Sequence, residues 1–139
     1  MQATIRILIV DDFEPFRRFV ESTLSQKPEW QIVGEVGDGP QAVQLARALQ
    51  PDLMVLDIGL PTLDGIETAR RVSECAPKTR ILFLTANRSE TMVQEALRTG
   101  AAGYVLKSNA TKELLPALEA VLEGKRFVSV SLNHHESGC

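Results

Sequence analysis

The chain has 139 residues, 44% hydrophobic and 24% charged, with 15 Lys and Arg against 18 Asp and Glu for a formal net charge of -3. That length suits a single domain able to bury roughly two-thirds of its unfolded surface, and the ordinary composition excludes wholesale disorder. The slight acidic excess, with no dense Lys/Arg stripe, argues against direct nucleic-acid binding.

The opening MQATIRILIVDD carries an apolar run too short for a signal-peptide core or a membrane span, so the expected location is cytoplasmic. The first predicted strand is IRILIV from Ile5, and it ends on the adjacent carboxylates Asp11 and Asp12. A helix follows, with Phe13, Phe16, Val20 and Leu24 on one face. The second strand is IVGEV from Ile32, and its helix carries Ala42, Leu45, Ala46 and Leu49. The third strand, LMVLD from Leu53, closes on Asp57 and leads to a helix with Ile66, Ala69 and Val72.

The fourth strand, ILFLT from Ile81, closes on Thr85. Its helix carries Met92, Val93, Ala96 and Leu97 and stops at Gly100. The fifth strand, GYVLK from Gly103, closes on Lys107. The last helix carries Leu114, Leu115, Leu118, Val121 and Leu122 and stops at Gly124. Thr111 is its expected N-cap, which would put Pro116 near the tolerated first turn, with a kink or a late start.

The strands are nearly continuous in apolar character, as strands covered on both faces are. Strand-helix alternation with short connections predicts a doubly wound parallel α/β sheet with right-handed crossovers, which places sites at the carboxyl ends of its strands. Four of the five ends carry Asp11 with Asp12, Asp57, Thr85 and Lys107. Each alone reads as a turn, a cap or a solvated stem. Together the three acids call for a hard cation, Mg²⁺ or Mn²⁺, and the Lys and Thr suit the remaining oxygens of a phosphoryl group.

Two readings are bland by comparison. Cys75 and Cys139 have no zinc or CxxC spacing, and His134 and His135 have no cysteine or carboxylate partners in a ligand pattern.

LIVDD, LMVLDIGLPTLDG, FLTA and GYVLK, in this order and at these strand ends, make the chain resemble the receiver domain of two-component response regulators from residue 5 to about 123. AAGYVLKS and GKRFVS are similar to the NarL/FixJ-type subfamily. The resemblance implies a single CheY-like, flavodoxin-like (βα)5 domain over residues 1–124, with a five-stranded sheet in the order 2-1-3-4-5. Residues 125–139 would be a tail or the start of a linker, with no recognisable output domain.

It implies that Asp57 takes a phosphoryl group from a histidine kinase or phosphotransfer protein, acting as a switch rather than an enzyme, although it could catalyse its own phosphorylation and dephosphorylation. Mg²⁺ would be held by Asp12, Asp57 and the backbone carbonyl of Gly59, and by Asp11 through water. Lys107 and Thr85 would engage phosphoryl oxygens, with small Ala86 leaving room for the donor, and Tyr104 would turn inward after Thr85.

Output would be transcription through a helix-turn-helix domain absent here, a phosphorylation-dependent homodimer, or docking through the fourth helix, fifth strand and fifth helix. Phe13, Glu14, Arg17 and Arg18 are candidates for kinase docking. Ser108 stands where many receivers have proline, so a cis peptide after Lys107 would be of the costly non-proline kind. A haloacid-dehalogenase-type phosphatase needs a second Asp where this chain has Gly59. A receiver-fold module independent of phosphorylation would be expected to have lost one of the key residues.

Overall fold

The computed structural model describes residues 4–129 and Leu132; His134, His135 and Cys139 lie outside them. Strands β1 (Ile5–Val10), β2 (Trp30–Val36), β3 (Leu53–Leu56), β4 (Arg80–Thr85) and β5 (Gly103–Leu106) alternate with helices α1 (Glu14–Leu24), α2 (Gly39–Leu49), α3 (Gly65–Cys75), α4 (Glu90–Arg98) and α5 (Ala110–Leu122). A short strand β6 (Phe127–Val128) follows.

All pairings are parallel and the order is β2-β1-β3-β4-β5-β6. The expected doubly wound order is therefore present, but the sheet has six strands rather than five. The extra strand comes from the segment after Gly124. It pairs Gly103 with Phe127 and Tyr104 with Val128, and two residues are too few to show a period in sequence.

Alternate residues of each strand enter opposite layers. Leu8, Val10, Met54, Leu56, Phe83 and Tyr104 meet Ala42, Ala46, Ala69, Val72 and Val93 of α2, α3 and α4. Ile7, Ile9, Val55, Leu84 and Val105 meet Val20, Leu24, Leu114, Leu118 and Val121 of α1 and α5. Each fully buried large side chain stabilises the fold by roughly 1.5–3 kcal/mol relative to exposure. These two layers fix the strands, and so fix where their ends point.

Three helices start on side-chain caps: Asp38 accepts from Gln41 N–H at 2.8 Å, Asp64 from Glu67 N–H at 2.9 Å and Ser89 from Met92 N–H at 3.3 Å. Two expectations about helix starts fail. Phe13 is the N-cap residue of α1 and stands 57% exposed, off the buried face. Thr111 does not cap α5, because a 3-10 turn over Lys107–Asn109 runs into a helix that begins at Ala110, leaving Pro116 in its interior. Every peptide bond among the described residues is trans, Lys107–Ser108 included. Among the described residues no helix is long and apolar enough to cross a membrane.

Candidate functional site

Because β1, β3, β4 and β5 run parallel side by side, the residues after their last ladder positions emerge on one edge. Asp11 N–H donates to Val36 O at 3.0 Å, and Asp57 N–H donates to Val10 O at 3.0 Å. The backbone is thus pinned by the sheet immediately before each carboxylate leaves it. Asp11 and Asp57 are 4% and 7% exposed, and Asp12 is open to solvent. One oxygen from each of the three lies within 4.8 Å of the others.

Lys107 reaches into this cluster from the end of β5. Its Nζ lies 2.7 Å from Asp11 Oδ2 and 3.2 Å from Asp57 Oδ2. The other Asp11 oxygen accepts from Phe13 N–H at 2.9 Å, and the other Asp57 oxygen accepts from Gly59 N–H at 3.4 Å. Gly65 is required beside Asp57, because a Cβ there would collide with the Asp57 carbonyl oxygen and push α3 off the end of β3.

Burial raises the Asp11 carboxyl above the ordinary carboxylate range; the hydrogen bonds from Lys107 and Phe13 oppose this, and the charge of Asp57 adds to it. Burial also works against charging Lys107, yet the hydrogen bonds and charges of Asp11 and Asp57 outweigh it and hold the ammonium above its usual range. Three carboxyl groups face a single ammonium, so acidic groups outnumber cationic ones in the cluster. An all-oxygen donor set with that excess fits a hard divalent cation.

Thr85 is buried at the end of β4, and its Oγ1 accepts from Asn87 N–H at 3.3 Å. Ala86 and Gly59 are exposed at the rim. Tyr104 is already turned inward: it is fully buried, packs beside Phe83 with ring centroids 6.1 Å apart, and donates from its hydroxyl to Asn87 O at 2.7 Å. Burial raises its phenol well above the ordinary range, with the charge of Asp57 contributing. The same Asn87 peptide region thus receives Tyr104 and contacts Thr85.

Two neighbours were not visible as site residues in the sequence. Phe16 turns its ring to Lys107, whose Nζ stands 4.6 Å from the ring centroid. Arg17 donates from Nη1 to the Asp11 carbonyl at 2.5 Å and pairs through Nε with Glu35 at 3.5 Å. Of the surface set on and just before α1, Phe13, Glu14 and Arg18 are exposed, whereas Arg17 braces the loop after β1. Helical periodicity marked Phe16 only as a packing residue, and only the fold brings it to Lys107, the residue just after β5.

A doubly wound parallel sheet with an acid cluster, a lysine and a threonine on its carboxyl edge defines a receiver-type signalling domain. Residues 7–119 match the model of the response regulator receiver domain, and the chain belongs to that family. It is 35% identical over 131 residues to the nitrate/nitrite response regulator protein NarL of Escherichia coli K12, covering 94% of this chain and 61% of that protein. It is 33% identical over 131 residues to the transcriptional regulatory protein DegU of Brevibacillus brevis, covering 94% of this chain and 56% of that protein. The chain thus spans little more than half the length of these relatives. Among solved structures, a LuxR-family two-component response regulator from Aurantimonas sp. SI85-9A1 superposes with a TM-score of 0.89 at 34% identity, covering 95% of this chain and 94% of that one.

Proposed function

We propose that this receiver domain takes a phosphoryl group on Asp57 from a phosphohistidine of a sensor kinase or phosphotransfer protein. The observation that carries this reading is the placement of Asp57 Oδ2 3.2 Å from Lys107 Nζ, within an acid cluster open on the Asp12 side. A carboxylate oxygen of Asp57 forms the new O–P bond as the P–N bond of the donor breaks, and its electron pair stays on the departing imidazole. Lys107 sits where it can pair with a phosphoryl oxygen, and exposed Ala86 leaves the approach unobstructed.

Mg²⁺, with Mn²⁺ as a substitute, is the cation we assign to Asp12, Asp57 and the Gly59 carbonyl, with Asp11 acting through water; when bound it supplies positive charge against the phosphoryl oxygens. Thr85 has a hydroxyl proton to give to a second phosphoryl oxygen. Drawing Thr85 toward Asp57 would disturb its contact with Asn87, the residue whose carbonyl holds Tyr104. That shared partner couples the site to the surface of α4 and β5, and through it to a homodimer, a docking partner or a transcriptional output carried by a longer protein. The relatives named as regulators support that output.

Phosphoramidate or acetyl phosphate with Mg²⁺ should add one labile phosphoryl group by intact mass, and Asp57→Asn should abolish it. An unchanged mass of the wild-type protein, or labelling that persists in Asp57→Asn, would reject Asp57 as the acceptor.

A further inference from the structure

The Lys107 ammonium has two carboxylates on one side and an aromatic face on another. Asp11 and Asp57 hold it at 2.7 and 3.2 Å, and the Phe16 ring centroid lies 4.6 Å away. Phe16 is half-buried and packs on Phe19 with centroids 5.2 Å apart, so the ring has a neighbour on its own helix. An ammonium over a ring face is attracted by the ring quadrupole.

The carboxylates cannot serve Lys107 alone once a divalent cation and a phosphoryl group share them, because both newcomers draw on the same oxygens. A ring does not have that conflict. It carries no net charge, so it does not ligate a hard cation and opposes phosphoryl oxygens far less than a carboxylate would, and its attraction for the ammonium survives when the carboxylates are engaged. A third carboxylate in its place would bind the metal and oppose the incoming phosphoryl group.

We propose that Phe16 is a positioning residue for the acceptor reaction, its ring face holding the Lys107 ammonium in place while Asp11 and Asp57 turn to the metal and the phosphoryl group. This rests on the reading of Asp57 as the acceptor. The hold is exerted from α1 on a residue beyond β5, so it also ties together two elements on the same layer of the sheet.

The test compares wild type, Phe16→Leu, Phe16→Met and Phe16→Tyr, each checked for a native melting transition. The ε-methylene protons of Lys107 should be shifted upfield by the ring current in wild type and Phe16→Tyr, and not in the Leu or Met variants. Phosphorylation by phosphoramidate with Mg²⁺ should slow about two- to fivefold in Phe16→Leu and recover in Phe16→Tyr. In a Lys107→Gln background, Phe16→Leu should produce no further loss. An equal loss in both backgrounds, a wild-type rate in Phe16→Leu, or no ring-current shift in wild type would overturn the proposal. If wild type takes no phosphoryl group at all, the acceptor reading fails and the positioning role with it, while the ring-current shift reports separately on the contact.

Discussion

Lys107 sits closer to Asp11 than to Asp57, 2.7 Å from one carboxylate and 3.2 Å from the other, and so serves as the internal cation of the acid cluster. A divalent ion entering the cluster has to share those oxygens with the ammonium. Lys107→Met should therefore tighten Mg²⁺ binding about three- to tenfold, by removing one positive charge from a partly shielded site. Calorimetric or NMR titration with Mg²⁺ checks this; equal or weaker affinity would mean that the lysine does not compete.

The Glu35 carboxyl is pushed up to about 7 by burial, then by a hydrogen bond and the charge of Glu21, against the opposing charges of Arg17 and Arg18. A raised carboxyl favours the protonated form in the fold. Between its ordinary value of 4.5 and about 7 the folded chain binds more protons than the unfolded one, so stability falls as pH rises through that window and levels off above it. With the side chain 28% exposed, solvent screening reduces the effect to about 1 kcal/mol. Glu35→Gln should flatten the slope of unfolding free energy between pH 5 and 7, measured by urea denaturation in steps of about half a pH unit.

Ser129 lies fully buried just past β6, and its hydroxyl links α5 to β5. It donates to Glu113 Oε1 at 2.6 Å and accepts from Leu106 N–H at 2.9 Å, while its own N–H donates to Tyr104 O at 2.9 Å. Ser129→Ala removes the acceptor of the Leu106 amide and should cost about 1–3 kcal/mol. A lower denaturation midpoint at unchanged denaturant slope is the expected signature, and an unshifted midpoint would show that another group replaces the hydroxyl.

Thr62, in the loop between β3 and α3, has φ at +69°. A β-branched residue is strained there, whereas glycine is not. Thr62→Gly should raise stability by about 0.5–1 kcal/mol, the relief exceeding the added freedom of the unfolded chain. A loss of stability of similar size would show that Thr62 makes compensating contacts.

The strand ends were readable because four of the five apolar runs stop at a chemically distinct residue, and a parallel sheet sends all such ends the same way. Phe13 was misplaced because helical period says which residues share a face but not where the first turn begins, and Phe13 falls one residue outside α1. The start of α5 was hidden for a similar reason: the 3-10 turn at Lys107–Asn109 brings the helix in at Ala110, ahead of the expected cap. Strand β6 has two residues, and its stability comes from pairing with β5 and from Ser129, both long-range contacts.

Periodicity and strand ends in the sequence alone determined the doubly wound architecture and brought Asp11, Asp12, Asp57, Thr85 and Lys107 to one edge, because the pattern of burial along a strand is local and the direction of parallel strands is shared. The tertiary structure decided the rest: that Lys107 leans toward Asp11, that Tyr104 rests inward on the Asn87 carbonyl, and that Phe16 faces the ammonium. Those are contacts between residues far apart along the chain, set by how the helices pack on a twisted sheet, and residue spacing along one chain carries no such distances.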